Sequence, residues 1–218
     1  MTTEMADLLD ASAPAERGVA RRTSKVAAKR DELARAAFRT LSELGYAGTS
    51  LREIAANSEY SHGVLHYYFA DKLELIAHCV ALYKRECVAS YDDILDGVSD
   101  ADMLRRRFVD RLVVTMTDDL PTHKLWYDLR VQAMFEPSLR AGVYEIDSEL
   151  EAMIWRVVSR YAELADSEPV LDSAGVYAAL DGPFERAVRR FAVGDEAAPA
   201  DLSAHLDALL RAAVPRPS

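Results

Sequence analysis

Apolar residues recur at spacings of three and four along nearly the whole chain. The first clear run, Leu33, Ala37, Leu41 and Leu44 with Phe38 beside it, predicts an amphipathic helix closed by a glycine cap at Gly45. Ser50-Leu51-Arg52-Glu53 then has the form of a capping box, in which the serine hydroxyl accepts from the Glu53 N–H and the carboxylate reaches back. Leu51, Ile54 and Ala55 give this second, short helix its buried face. Asn57-Ser58-Glu59-Tyr60 reads as a polar turn, and Ser61 as the N-cap of a third helix anchored by Leu65 and Phe69. His62, Gly63, Val64, His66, Tyr67 and Tyr68 are left to face outward or sideways. Asp71-Lys72-Leu73-Glu74 repeats the capping pattern and opens a fourth helix, expected to run to about Ile94. That helix is apolar on two sides, Leu73, Ile76, Val80, Tyr83 and Cys87 on one and Leu75, Cys79 and Leu82 on the other, the pattern of a helix buried between layers.

The helical pattern continues to the end of the chain. A fifth helix is predicted from about Asp102 to Thr117, and a sixth from Pro121 to Phe135 with proline in its first turn. The seventh runs from Pro137 to about Leu164 on a stripe of Leu139, Val143, Ile146, Leu150, Ile154, Val157, Tyr161 and Leu164. An eighth spans about Pro169 to Val193 and is expected to kink or split at Gly182-Pro183, where proline removes a backbone donor. The last begins near Ala200 with Leu202, Leu206, Leu209 and Leu210. No strand and no internal repeat is evident, so the fold class is all-α.

The segment from Thr49 to Leu75 carries the chemistry. A short helix showing small, ring-bearing and polar residues after a tight turn can bring base-edge and phosphate contacts together in a DNA groove. Gly63 lowers helix propensity by roughly 1 kcal/mol relative to alanine, which fits a backbone that must approach a phosphate closely. Val64 is placed to meet a thymine methyl, and Lys72 adds a cation to a helix N-terminus already suited to anions. The pair His62 and His66 has a metal-compatible spacing but no third ligand nearby and no carboxylate between them.

Taken together, the first helix, Gly45-Tyr46, Thr49-Ser50, Ile54-Ala55, Ser61-His62-Gly63, Leu65-His66-Tyr67-Tyr68-Phe69 and Lys72 resemble the N-terminal domain of the tetracycline-repressor (TetR) family over about residues 25 to 76. The resemblance implies a three-helix helix-turn-helix DNA-binding domain followed by a helical ligand-binding and dimerisation domain. It implies that Thr49 or Ser50, Tyr60, Ser61, His62, Gly63, Val64, His66, Tyr67, Tyr68 and Lys72 lie at the DNA surface. Glu59 stands where the family's turn often has glycine, His62 often corresponds to a lysine or a similar polar residue, and His66 to a tyrosine. On this reading residues 1–24 form a flexible tail, 25–72 the DNA-binding domain and 73–218 the ligand-binding and dimerisation domain.

Charge agrees once its distribution is considered. The net charge is −10, yet Arg17 to Lys72 holds ten Lys/Arg against six Asp/Glu, and the acidic excess lies on either side. Binding to phosphate should therefore be local, oriented and sensitive to salt. Arg17, Arg21, Arg22, Lys25, Lys29 and Arg30 precede the motif and serve either as solvated surface or as contacts to flanking phosphates. Cys79 and Cys87 are about 12 Å apart along one helix, too far for a disulfide. No apolar run nears the roughly 20 residues of a membrane span. With no secretion signal at the start, cytoplasmic residence is expected.

The family's final two helices pair with the same two from a second subunit. Two-fold symmetry would let two recognition helices read half-sites about 34–36 Å apart. Tyr177, Phe184, Val188, Phe191, Leu202, Leu206, Leu209 and Leu210 are the candidates for that interface, the alternative being that they close the monomer core. Between the fifth and seventh helices large side chains gather: Phe108, Met116, Trp126, Tyr127, Met134, Phe135, Tyr144, Met153 and Trp155, with His123 and Arg130 as polar partners. Each serves core packing or, as a set, an apolar or aromatic effector.

No phosphate loop, nucleophile elbow or His-Glu-x-x-His pair points to an enzyme, and no cofactor is implied. The expected function is a DNA-binding regulator, most often a repressor in this family, with palindromic double-stranded operator DNA, a second copy of itself and a small effector as partners. A helical small-molecule or protein-interaction module without DNA binding, and a small all-α enzyme, are the alternatives.

Overall fold

The computed structural model describes residues 13–44, 49–89 and 91–215. They form helices α1 (Ala13–Leu44), α2 (Leu51–Ala56), α3 (His62–Tyr68), α4 (Lys72–Ala89), α5 (Asp92–Leu95), α6 (Ala101–Asp118), α7 (Leu120–Phe135), α8 (Pro137–Leu164), α9 (Ser173–Phe191) and α10 (Ala198–Ala213). No strand occurs among the described residues. Contacts divide the chain into two units, the boundary falling within α4 after Cys79.

In the first unit Leu33, Ala34, Ala37 and Leu41 of α1 are fully buried, as are Ile54, Leu65 and Leu75, with Leu51 and Phe69 nearly so. The spacing read from the sequence thus gives the core of a three-helix unit. The opening turns of α4 also belong to it. Cys79 Sγ donates to the Ala34 carbonyl at 3.3 Å, and His78 Nε2 meets Asp31 Oδ1 at 2.7 Å. This is why the division comes later than Lys72. The stretch expected to be a tail is helical from Ala13 onward, its alanines and arginines being good helix formers. Residues 1–12 and the Gly45 cap lie outside the described residues.

In the second unit α6 to α10 pack as a bundle. Asp100 caps α6 by accepting from the Met103 N–H at 2.7 Å, and Asp172 caps α9 by accepting from Gly175 at 2.8 Å. Two boundaries differ from expectation. The fourth helix ends at Ala89, and Ile94 falls on the separate turn α5; the Tyr91 N–H closes on the Val88 carbonyl and its ring is buried. The eighth helix begins only at Ser173 and is not split at Pro183. Val176 and Leu180 before the proline and Ala187 and Val188 after it are all buried, so packing on both sides keeps the helix in one piece despite the missing donor.

Candidate nucleic-acid interface and effector cavity

The first candidate site is built by two short capped helices. Ser50 is the N-cap of α2 and its hydroxyl accepts from the Glu53 N–H at 3.2 Å; Ser61 does the same for α3 from Val64 at 3.3 Å. Such caps matter for helices this short, which cannot hold themselves together in water. Leu65 and Phe69 fix α3 on the core, leaving Ser61, Gly63, His66 and Tyr67 exposed and His62, Val64 and Tyr68 half-buried. The His62 and His66 rings meet edge to face at 4.4 Å, as do Tyr67 and Tyr68 at 4.9 Å. A concave surface of about 450 Å³ gathers Ser50, Arg52, His62, His66 and Lys72. An alanine Cβ at Gly63 would meet nothing in the chain nearer than the Ser61 hydroxyl, at 3.9 Å.

Arg30 of α1, read in the sequence only as one of a basic run, holds α3 in place. Its guanidinium donates to the Tyr68 carbonyl at 2.8 Å and to Glu74 at 2.8 Å, and lies 4.5 Å from the centre of the Phe69 ring. A cation on the last carbonyls of a helix satisfies orphan acceptors and complements the dipole. Burial opposes ionisation of Glu74, but the Ala70 N–H and Arg30 hold its carboxyl below the usual range. Spacing within one helix could not reveal this brace, because its partners are 38 and 44 residues away.

Two of the expected surface residues are engaged by partners within the chain, and one of them is buried. Thr49 is 3% exposed, so its side chain is not on the surface; its carbonyl accepts from Lys72 Nζ at 2.9 Å. The Tyr60 hydroxyl donates to Glu32, with Lys29 4.5 Å from the ring centre and 2.7 Å from Glu32. The Glu32 carboxylate pushes the Tyr60 phenol up, while Lys29 and Tyr60 lower Glu32. The Tyr60 hydrogen is thus committed, and a phosphate could take it only by displacing Glu32. Ser50, rather than Thr49, is the exposed member of that pair.

The second candidate site is a partly open, mainly apolar cavity of about 50 Å³ inside the second unit. Of the residues expected to line a pocket, His123, Trp126, Tyr127 and Met153 do so. Arg130 stands behind the wall, donating to Asp181 at 2.7 Å. Phe108 and Met116 are buried core, and Trp155 is half-buried outside the lining. Met134, Phe135 and Tyr144 are 64%, 80% and 75% exposed, on the outward sides of α7 and α8. Lys84, Cys87, Tyr177, Asp181 and Phe184, from α4 and α9, complete the wall and were missed. Tyr177, Phe184 and Leu206, expected at a subunit interface, line this cavity in the single chain, the first two half-buried and Leu206 fully buried. Val188, Leu202 and Leu210 are 2%, 1% and 1% exposed in the single chain, so they too close its core; Phe191 and Leu209 are half-buried.

The cavity's polar groups are tightly arranged. Tyr127 donates to Asp181 at 2.9 Å and Tyr177 to Asp147 at 2.5 Å. Burial, then the neighbouring Asp181, pushes the Tyr127 phenol far up, and burial with the Asp147 contact does the same to Tyr177. His123 Nε2 lies 3.2 Å from the Thr115 carbonyl, which can only accept, so that nitrogen carries the hydrogen and Nδ1 accepts from Lys84 Nζ at 3.0 Å. Burial, with Lys84 beside it, holds His123 well below its ordinary value. Burial also brings Lys84 down to about 8. A separate outer groove of about 260 Å³ shares Lys84, Cys87 and His123 with the cavity and adds Glu86 and Asp119. Among the described residues no cluster of metal-ligating side chains occurs, and no helix is long and apolar enough to cross a membrane.

Residues 33–79 match the family described as bacterial regulatory proteins, tetR family. The chain is 32% identical over 116 residues to the HTH-type transcriptional regulator BetI of Burkholderia thailandensis, an alignment covering 51% of this chain and 58% of that protein. The chain therefore spans little more than half the length of that curated relative. A TetR transcription regulator from Haloarcula marismortui superposes with a TM-score of 0.70 at 20% identity, over 85% of this chain and 97% of the other. The transcriptional regulator FadR from Bacillus subtilis, solved in complex with stearoyl-CoA, superposes with a TM-score of 0.65 at 15% identity, over 85% and 98%. At these identities the structures show a shared fold.

Proposed function

We infer, from the match of residues 33–79 to the tetR family of bacterial regulatory proteins, that the whole chain is a homodimeric, ligand-responsive transcriptional regulator that represses by occupying a palindromic operator. The observation that carries this reading is the capped α2–α3 pair, with α3 held by Arg30 and showing Ser61, Gly63, His66 and Tyr67 to solvent. His62, Val64, Tyr68, Ser50 and Lys72 complete the contact set; Tyr60 joins it only by giving up Glu32. Such a helix reads base edges with its N-terminal residues while the flanking elements hold phosphates.

Dimerisation is assigned to a face other than the leucines. Ala174, Ala178 and Gly182 form an exposed line on α9, and Ala200, Ala204 and Ala208 another on α10. Small residues four apart let helices of two subunits approach closely. They support a four-helix interface between final pairs.

The effector reading rests on the cavity and on α4. Lys72, in the DNA contact set, and Lys84, on the cavity wall, belong to the same helix. As it stands the cavity has room for a few waters, so a larger effector must move its walls. A ligand favouring the moved state lowers operator affinity by its difference in affinity between the two states. Stearoyl-CoA in FadR shows a ligand-bound protein of this fold. The chain acts as a binding protein in the cytoplasm rather than as an enzyme.

The test is selection of duplexes from a random pool by the purified protein, followed by anisotropy on the enriched sequence. A two-fold symmetric site bound by two chains is expected. No enrichment over random duplex at low ionic strength would overturn the reading.

A further inference from the structure

The cavity wall contains a buried cation with too few partners. Lys84 is 3% exposed, and its ammonium has three hydrogens to place. One goes to His123 Nδ1 at 3.0 Å, and the Trp126 ring centre lies 5.8 Å away. No ion pair among the described residues takes in Lys84. The nearby carboxylates are otherwise engaged: Asp181 accepts from Tyr127 and Arg130, and Asp147 from Tyr177. Asp119 and Glu86 line the outer groove that Lys84 also borders, and Asp119 acts on it only at a distance, with no ion pair formed. Deeper in, the lining is apolar, with Leu112, Leu150, Met153, Ile154 and Leu180.

We propose that the effector is an amphipathic acid, its apolar or aromatic body in the cavity and its anionic head, a carboxylate or equivalent, on the two free hydrogens of Lys84. This rests on the reading of the cavity as the effector site and adds the effector's charge. A buried ammonium without a counter-ion is costly, and an anion that supplies one recovers the Coulomb energy together with charge-assisted hydrogen bonds. A cationic effector finds aromatic rings here in Tyr91, Trp126, Tyr127, Tyr177 and Phe184, but also the Lys84 charge against it and an Asp181 already neutralised by Arg130. A neutral one can accept a hydrogen through an oxygen but brings no counter-charge. The low proton affinity of Lys84 says the same: as built, the site disfavours the charge that an anion would stabilise.

The test uses matched acid, alcohol and primary amine on three bodies: octyl, 4-phenylbutyl and indole-3-butyl. Binding is followed by calorimetry and, for the octyl and phenylbutyl bodies, by the fluorescence of Trp126 in a Trp155→Phe background. For at least one body the acid is expected to bind about 10- to 100-fold more tightly than its alcohol and amine, the worth of a charge-assisted hydrogen bond. Lys84→Met should erase that preference and leave alcohol binding within about threefold. Lys84→Gln serves if the methionine variant does not fold. Alcohols or amines binding as well as acids, an acid preference that survives both substitutions, or no binding by any acid would each overturn the proposal. Operator anisotropy is run in parallel. An acid that binds through Lys84 without changing DNA affinity keeps this proposal and removes the effector reading, whereas an alcohol that outbinds its acid and releases DNA does the reverse.

Discussion

At Gly63 two demands on one residue can be separated. The chain itself leaves room for a methyl group, since the nearest atom to an added Cβ is 3.9 Å away. Gly63→Ala should therefore stabilise the fold by about 0.5 kcal/mol, through helix propensity and a less free unfolded chain. If α3 meets DNA at this point, the same methyl should weaken operator binding by tenfold or more. Thermal melts and anisotropy on one preparation check both; unchanged affinity would remove Gly63 from the contact set. The capping serines and the buried Leu65 and Phe69 were legible because their signals are local, a few residues apart on one helix. Arg30 was not, for its partners Tyr68 and Glu74 are distant in sequence. Nor was the burial of Thr49, which no local spacing marks.

At the scale of elements, a leucine stripe and an alanine stripe have opposite fates. Leu202, Leu206 and Leu210 are at most 1% exposed and belong to the subunit's own core, while the alanines of α9 and α10 stay outside. Hydropathy patterns find the face that is buried first, so a sequence reading takes the leucines for an interface and passes over small exposed residues. Leu206→Ala should cost about 2–5 kcal/mol of stability without changing the number of subunits. Ala204→Arg together with Ala208→Glu should leave the fold intact and give monomers in sedimentation equilibrium, with operator affinity falling by at least a hundredfold. Dimers that survive the double substitution would place the interface elsewhere. The cavity was only half legible for a similar reason. Residue size identified Trp126 and Met153, but which way α4 and α9 turn decides that Lys84, Tyr177 and Asp181 face inward, and size wrongly favoured Phe135 and Tyr144, which face out.

For the whole molecule, charge separates the contributions of individual residues. With a net charge of −10 concentrated away from the DNA-binding segment, binding should weaken steeply with salt. Lys72→Met should reduce the slope of log affinity against log salt by about one. An unchanged slope would assign Lys72 to contacts within the chain, such as the Thr49 carbonyl. Lys84 also ties stability to pH. Its folded value, about 8, lies below the ordinary 10.5, so between these values the unfolded chain holds more protons and stability rises with pH. Cys79 and Tyr91, both pushed up mainly by burial, act oppositely above about pH 9. The useful quantity is therefore wild type minus Lys84→Met, which should gain up to about 3 kcal/mol from pH 8 to 10.5 in denaturant titrations. A flat difference would mean that Lys84 does not titrate in this window.

The hydrogen placed on His123 Nε2 by the Thr115 carbonyl has one more result. Nδ1 is kept as a lone pair, to which a neutral amine still donates, though more weakly than an ammonium does. Mild alkali can thus strip the wall of its charge while every atom keeps its seat, so that the shape of the chamber and its polarity become independent variables.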